Sequence, residues 1–190
     1  MEDHFAALGL PRRAALDAGA VREAFQQHSK ELHPDAGGCP EAFEAANRAH
    51  AVLADPAARL KHLAELEFGE APDASGAVDP ETMALFETVG AALFAADEFL
   101  GQRGTASSAV AKALLVRAER EAGEAVFSSS GAVRARKAEV LDRLAGIDAA
   151  LAAGDREHAA SELGECSRAL AFLGKWEAQM AERMAALIAS

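Results

Sequence analysis

Apolar residues recur at helical spacing from the start of the chain. In "EDHFAALGL" Phe5 and Leu8 share a face, Asp3 is placed to cap a short helix, and Gly9 can end it. "DAGAVREAFQQHSKEL" predicts a second helix, with Asp17 as cap and Val21, Phe25, His28 and Leu32 at spacings of four, three and four. "PEAFEAANRAHAVL" predicts a third. Pro40 suits its first position, and Phe43, Ala46, His50 and Leu53 form its stripe. "DPAARLKHLAELEF" begins a fourth helical piece after Asp55-Pro56.

The periodicity then stops. Residues 69–79, "GEAPDASGAVD", hold Gly, Pro, Asp and Ser without an apolar period and read as a linker. A new helix starts at "DPETMALFETVGAALFAADEFL", with Asp79 as cap, Pro80 at the first position and Glu81 favourable to the helix dipole. "GQRGT" is expected to end it. Two long helical segments follow, 106–153 and 155–188, separated by the turn "AAGDRE". The first is expected to break or weaken at "SSSG", residues 128–131, because Ser and Gly are poor in helix interiors. The stripe of the second includes Leu163, Leu170, Leu173, Trp176, Met180, Met184 and Leu187. Three long helices after a linker predict an antiparallel bundle.

Composition agrees with this reading. Ala and Leu dominate the 51% apolar content, and β-branched residues are scarce, so the fold class is all-α. The formal net charge is −11. Residues 1–70 carry 7 basic and 12 acidic groups and the remainder 12 and 18, so both parts are acidic. Nucleic acid and anionic membrane surfaces call for a basic field, which is absent. Cys39 and Cys166 stand far apart with no Cys or His at ligand spacing, which argues against a disulfide framework or a zinc site. Neither a leader pattern nor a run of 18 apolar residues occurs, and the expected location is cytoplasmic.

One triplet is not explained by helices and turns in general. His33-Pro34-Asp35 ends the second predicted helix, and a Pro-containing turn would serve as a plain helix stop. Its surroundings are more particular: "FAALGL" before it, "FQQHSKELHPD" around it, and "ANRAHAVLADPAAR" after it. With Asn47, Ala49, Leu53, Asp55 and Pro56 in the last block, residues 3–66 resemble a J-domain, the module by which J-proteins activate DnaK-type chaperone ATPases. The resemblance implies that His33, Pro34 and Asp35 contact the chaperone, with Arg22 and Lys30 as the basic residues of the second helix. Asp35 can accept a charge-assisted bond from a partner arginine, and Pro34 sets the loop's direction. The family usually carries more positive charge here, and Ala36 stands where a basic residue often follows. The expected result is weaker electrostatic steering, or a chaperone partner with a less acidic docking patch.

The rest of the chain has no Gly/Phe-rich segment and no Cys-x-x-Cys-x-Gly-x-Gly repeat. Its acidic helical region resembles that of the HscB family of iron–sulfur co-chaperones, on "LFE" at 85–87 and "RALAFLGKWEAQMAERMAAL" near the C-terminus. The resemblance implies two partners, a DnaK/HscA-type chaperone and an IscU-like scaffold protein. Leu85, Phe86, Val89, Asp97 and Phe172 fall at the scaffold-binding positions, while Gly90 stands where the family has Glu. The same apolar residues also suit a bundle core. Leu85, Val89 and Ala92 make one stripe and Met83, Phe86, Leu93 and Leu100 another, a wider apolar surface than one bundle helix needs.

Other candidates carry less. His4, His28, His50, His62 and His158 are scattered, and packing suits His28 and His50 better than metal binding. Ser128–Ser130 lacks a nucleophile elbow, and Gly37-Gly38 lacks the strand and the Lys-Ser/Thr of a phosphate loop. No cofactor or metal is expected. The organisation expected is a J-domain over 1–68, a linker over 69–78 and a helical bundle over 79–190, in a co-chaperone rather than an enzyme. The alternative is a bundle that binds another client or mediates dimerisation.

Overall fold

The computed structural model describes residues 2–32, 39–73, 75–105 and 108–189, apart from the side chains of 109, 111, 112 and 114. Every regular element among them is an α-helix: α1 (His4–Ala7), α2 (Ala18–Leu32), α3 (Pro40–Ala54), α4 (Pro56–Phe68), α5 (Pro80–Met83), α6 (Phe86–Thr105), α7 (Ala109–Ala153) and α8 (Arg156–Ile188). The expected caps are in place. Asp3 accepts from the N–H groups of Phe5 and Ala6, Asp17 from Ala20 and Asp79 from Thr82, and the structure adds a cap at Asp55, which accepts from Ala57. Two compact units result. The first joins Met1–Ala77 to Val140–Leu170, and the second joins Val78–Glu139 to Ala171–Ser190.

In the first unit α1 and α2 both pack on α3. Phe5, Leu8, Val21, Ala46, Ala49, Leu53, Leu60 and Leu63 fill the core. His50 packs as its stripe position suggests, with its ring 4.2 Å from that of Phe25. Two buried polar side chains organise the interior. His62 on α4 lies against Phe5, and its Nε2 accepts from the backbone N–H of His4 at 3.1 Å. Arg59 donates to the carbonyls of Ala14 and Leu53 at 3.0 and 2.8 Å. Burial pulls the Arg59 pKa down while Asp55 and Asp148 pull it up, and the net shift is downward from a value so high that the charge remains.

Residues 140–170 complete this unit. Val140, Leu144 and Ile147 of α7 and Ala159, Leu163, Cys166 and Leu170 of α8 are buried. Arg143 binds both Glu162 and Glu165 across the pair. The turn between the two helices uses Gly154 at φ 77°, a left-handed position that favours glycine, and Asp155 then accepts from the N–H of His158. The stretch after α4 has no regular structure but does have anchors. Arg168 donates to the carbonyls of Asp73 and Ala77, passing over Gly76 so closely that a Cβ there would lie 2.8 Å from the guanidinium carbon.

The second unit is a helical bundle in which α7 runs antiparallel to α6 and α8. Val89, Ala92, Ala96 and Phe99 of α6, Ala122, Val126 and Val133 of α7, and Leu173, Trp176, Met180 and Leu187 of α8 form its core. Three expectations are corrected here. The single helix expected from Pro80 onward is two pieces, because at Leu85 the ladder tightens to a bond with Thr82 O three residues back. Arg136 holds the first piece separately, through Asp79 and the Thr82 hydroxyl. "GQRGT" lies inside α6 rather than beyond it, and Arg103 donates to the Ala186 carbonyl near the end of α8. The helix does not break at 128–131 either. Val126 and Val133 are both fully buried around that stretch, and the Ser129 hydroxyl points at the Thr88 carbonyl, 3.4 Å away. Burying two valines is worth about 3 kcal/mol or more, above the propensity loss of three serines and a glycine.

Candidate functional site

The first unit presents α2. Arg22, Gln26 and Lys30 follow one another at four-residue intervals on its exposed side, and Glu23, Gln27 and Glu31 run beside them. Among the described residues no carboxylate forms an ion pair with Arg22 or Lys30. The parallel carboxylates leave the face close to neutral. His33, Pro34, Asp35 and Ala36 lie outside the described residues. The helices on either side are described: α2 ends at Leu32, and α3 begins at Pro40, after Cys39, whose thiol donates to Glu41 at 3.0 Å.

Electrostatics hold α1 in place behind this hairpin. Burial disfavours the Asp3 carboxylate, but bonds from Arg12, at 2.7 and 2.9 Å, and from two backbone N–H groups outweigh it and lower its pKa. Burial, then the nearby His4, lowers the His62 pKa, with Asp3 and Glu65 acting in the other direction. His62 is therefore the neutral acceptor that the His4 N–H requires.

The second unit presents an aromatic patch where α6 and α8 meet. Phe86 is 56% exposed and Phe172 40%, and both rings approach Trp176, with centroids 6.5 and 6.0 Å away. Trp176 is itself buried and forms the floor. Leu85 is half-buried beside Phe86, and Met83 is exposed at the end of α5. The two α6 stripes thus separate: Val89 and Ala92 face the core, Phe86 and Met83 face out, and Leu93 and Leu100 are half-buried. Val89, only 1% exposed, supports the patch from within rather than lining it. Asp97 is three turns further along α6, in an ion pair with Arg183 at 2.6 Å, so its carboxylate is already neutralised.

The base of the patch is rigidly tied. Burial acts against the Asp79 charge, but the Thr82 N–H and Arg136 overcome it and hold its pKa below the usual carboxylate range. Trp176 was legible only as a core residue, although its four-residue spacing from Phe172 was a signal that the two share a surface. Phe94, 70% exposed two turns beyond Phe86, is the other residue missed. Among the described residues no group of three or more His, Cys, Asp or Glu side chains is arranged to hold a metal, and no helix is long and apolar enough to cross a membrane.

Known proteins resemble the chain in two ways. The DnaJ domain family model matches residues 3–62. Chaperone protein DnaJ 2 of Thermus thermophilus is 38% identical over 61 residues, covering 30% of this chain and 21% of that protein. The co-chaperone protein HscB homolog of Bordetella avium is 34% identical over 73 residues, 34% of this chain and 44% of that protein. The matched stretch is less than half of either relative. Over nearly the whole chain the likeness is one of fold: the structure of chaperone HscB from Vibrio cholerae superposes with a TM-score of 0.55 at 21% identity, covering 95% of this chain and 96% of that one.

Proposed function

We propose, because residues 3–62 match the DnaJ domain family and the chain shares the fold of HscB, that it is a co-chaperone joining two partners. Through His33, Pro34 and Asp35, with Arg22 and Lys30, it stimulates ATP hydrolysis by a DnaK/HscA-type chaperone. Through Leu85, Phe86 and Phe172 over Trp176 it holds an IscU-like iron–sulfur scaffold and delivers it to that chaperone. The chain makes and breaks no bonds itself. Its contribution is to raise the effective concentration of scaffold at the chaperone.

The observation that carries this reading is the exposed Phe86–Trp176–Phe172 cluster in a chain whose residues 3–62 are a DnaJ domain. A bundle needing only its own core has no use for two phenyl rings at 56% and 40% exposure around a buried Trp. The test is the steady-state ATPase rate of the cognate chaperone with the full chain, with and without scaffold. Stimulation that rises with scaffold and disappears in His33→Gln supports the proposal. Stimulation lost in the variant but indifferent to scaffold retains the chaperone and rejects the scaffold.

One observation favours a second reading, in which the bundle binds a different client or mediates dimerisation. A groove of about 540 Å³ runs between α7 and α8, lined by Phe127, Met180, Met184 and Ile188. Sedimentation velocity over a hundredfold concentration range would show a dimer directly. A single monomeric species throughout would reject dimerisation.

A further inference from the structure

On α6 a glycine sits between two solvent-facing phenyl rings. Phe86, Gly90 and Phe94 are about one turn apart in succession, each exposed, so the Cα atoms that carry the rings stand about 6 Å along the axis to either side of a residue with no side chain. A Cβ at Gly90 would meet nothing within 4 Å. Nothing in the folded chain requires glycine there, and glycine weakens a helix interior. Other helical glycines of the chain also have open space, but among them only Gly90 has Phe at both the fourth residue before and the fourth after. The result is a notch in the helix surface, bare backbone between two exposed aromatic side chains. It continues the Phe86–Trp176–Phe172 patch away from α8.

Charge defines the rim. Glu87 and Glu98 are exposed toward the Phe94 side, and no cation among the described residues pairs with Glu87. Among the described residues Glu98 accepts from the Gln102 amide alone, at 3.2 Å. On the other side, Asp97 is closed by Arg183. A ligand in the notch therefore meets apolar walls, a backbone it can approach closely, and uncompensated negative charge on one edge.

Resting on the scaffold-binding reading above, we propose that this notch receives one bulky aliphatic side chain of the scaffold, flanked there by a lysine or arginine, and that Gly90 and Phe94 determine this specificity. An aliphatic side chain of Leu, Ile or Met size fills the gap between the rings, and the neighbouring cation pairs with Glu87 at the rim. A carboxylate at position 90 would occupy the floor and select a different, more polar contact.

The experiment is calorimetric titration of the full chain with purified IscU-type scaffold protein, for the natural sequence and for Phe86→Ala, Phe172→Ala, Phe94→Ala and Gly90→Leu. Phe94→Ala and Gly90→Leu are expected to raise Kd by about tenfold. Gly90→Leu is also expected to raise the unfolding midpoint by roughly 2 °C, since a helix former replaces glycine in open space. A stabler protein that binds worse distinguishes a filled notch from a damaged fold. If Phe86→Ala and Phe172→Ala weaken binding while Gly90→Leu and Phe94→Ala leave Kd within twofold, the notch is rejected and the scaffold reading stands. If the natural chain does not bind the scaffold, both fall.

Discussion

The carboxylate of Asp148 accepts from the backbone N–H of Ala14 at 2.6 Å and from that of Ala15 at 3.1 Å. A residue near the far end of α7 thereby fixes the segment that leads from α1 into α2. From the other side, Arg59 donates to the Ala14 carbonyl, so both polar groups of a buried residue are satisfied by side chains from distant positions. Removing the carboxylate leaves two N–H groups without their acceptor. Asp148→Ala is expected to destabilise the first unit by about 1–3 kcal/mol, and Asp148→Asn, which keeps one acceptor oxygen, by less. Urea unfolding of both variants checks this; equal midpoints in all three proteins would contradict it.

His62 predicts a pH dependence with a defined sign. Burial first, and His4 second, hold its folded pKa below the ordinary 6.5, against Asp3 and Glu65. Below pH 6.5 the unfolded chain binds a proton that the folded chain does not. The contribution is therefore complete above 6.5 and is lost as pH falls from 6.5 through the lower, folded value. Asp3 acts in the same direction in a more acidic window, since its pKa is lowered from 3.8. Urea midpoints at half-unit intervals between pH 5 and 8 should fall toward acid in the natural protein and fall less in His62→Gln. Parallel curves would show that His62 is not responsible.

Arg136 is expected to matter more than the surface ion pairs. Its side chain is 13% exposed and that of Asp79 10%, and the pair closes at 2.7 Å against the Thr82 hydroxyl. Asp79→Ala removes both this pair and the cap of α5, at a cost of about 2–4 kcal/mol. Arg117→Ala, whose partner Glu121 is exposed on the same helix, should leave the unfolding midpoint essentially unchanged. Comparable losses in the two variants would contradict the ranking.

The continuity of α7 also has a direct test. A Cβ at Gly131 would meet nothing within 4 Å, and the residue lies within the helix. Gly131→Ala is expected to stabilise the protein by about 0.5–1 kcal/mol. A break at that point would remove this gain, so an unchanged or lower midpoint would restore the interruption suggested by the local sequence.

How much was legible from sequence depends on the range of the interactions concerned. Caps at Asp3, Asp17 and Asp79 were readable because each acts within one turn of its own helix. The same holds for the Gly154 turn. The serines at 128–130 were misread because their local penalty is real but small beside the burial of Val126 and Val133, which depends on helices far away in sequence. At the aromatic patch, periodicity left Leu85, Phe86 and Val89 equally eligible for core or surface. Helix spacing fixes the angle between side chains but not which angle faces a neighbour.

By itself, therefore, the sequence determined the all-α class, the helix starts other than that of α6, the acidic balance and the likeness of the first segment to a J-domain. Each rests on residue type and short-range spacing. Only the tertiary structure decided that Val89 faces inward while Phe86 and Phe94 face out, that Trp176 lies between Phe86 and Phe172, and that Asp97 is held by Arg183. It also joined residues 140–170 to the first 77 in one compact unit. These are contacts between residues tens of positions apart, and they are selected by the packing of whole helices rather than by any local preference.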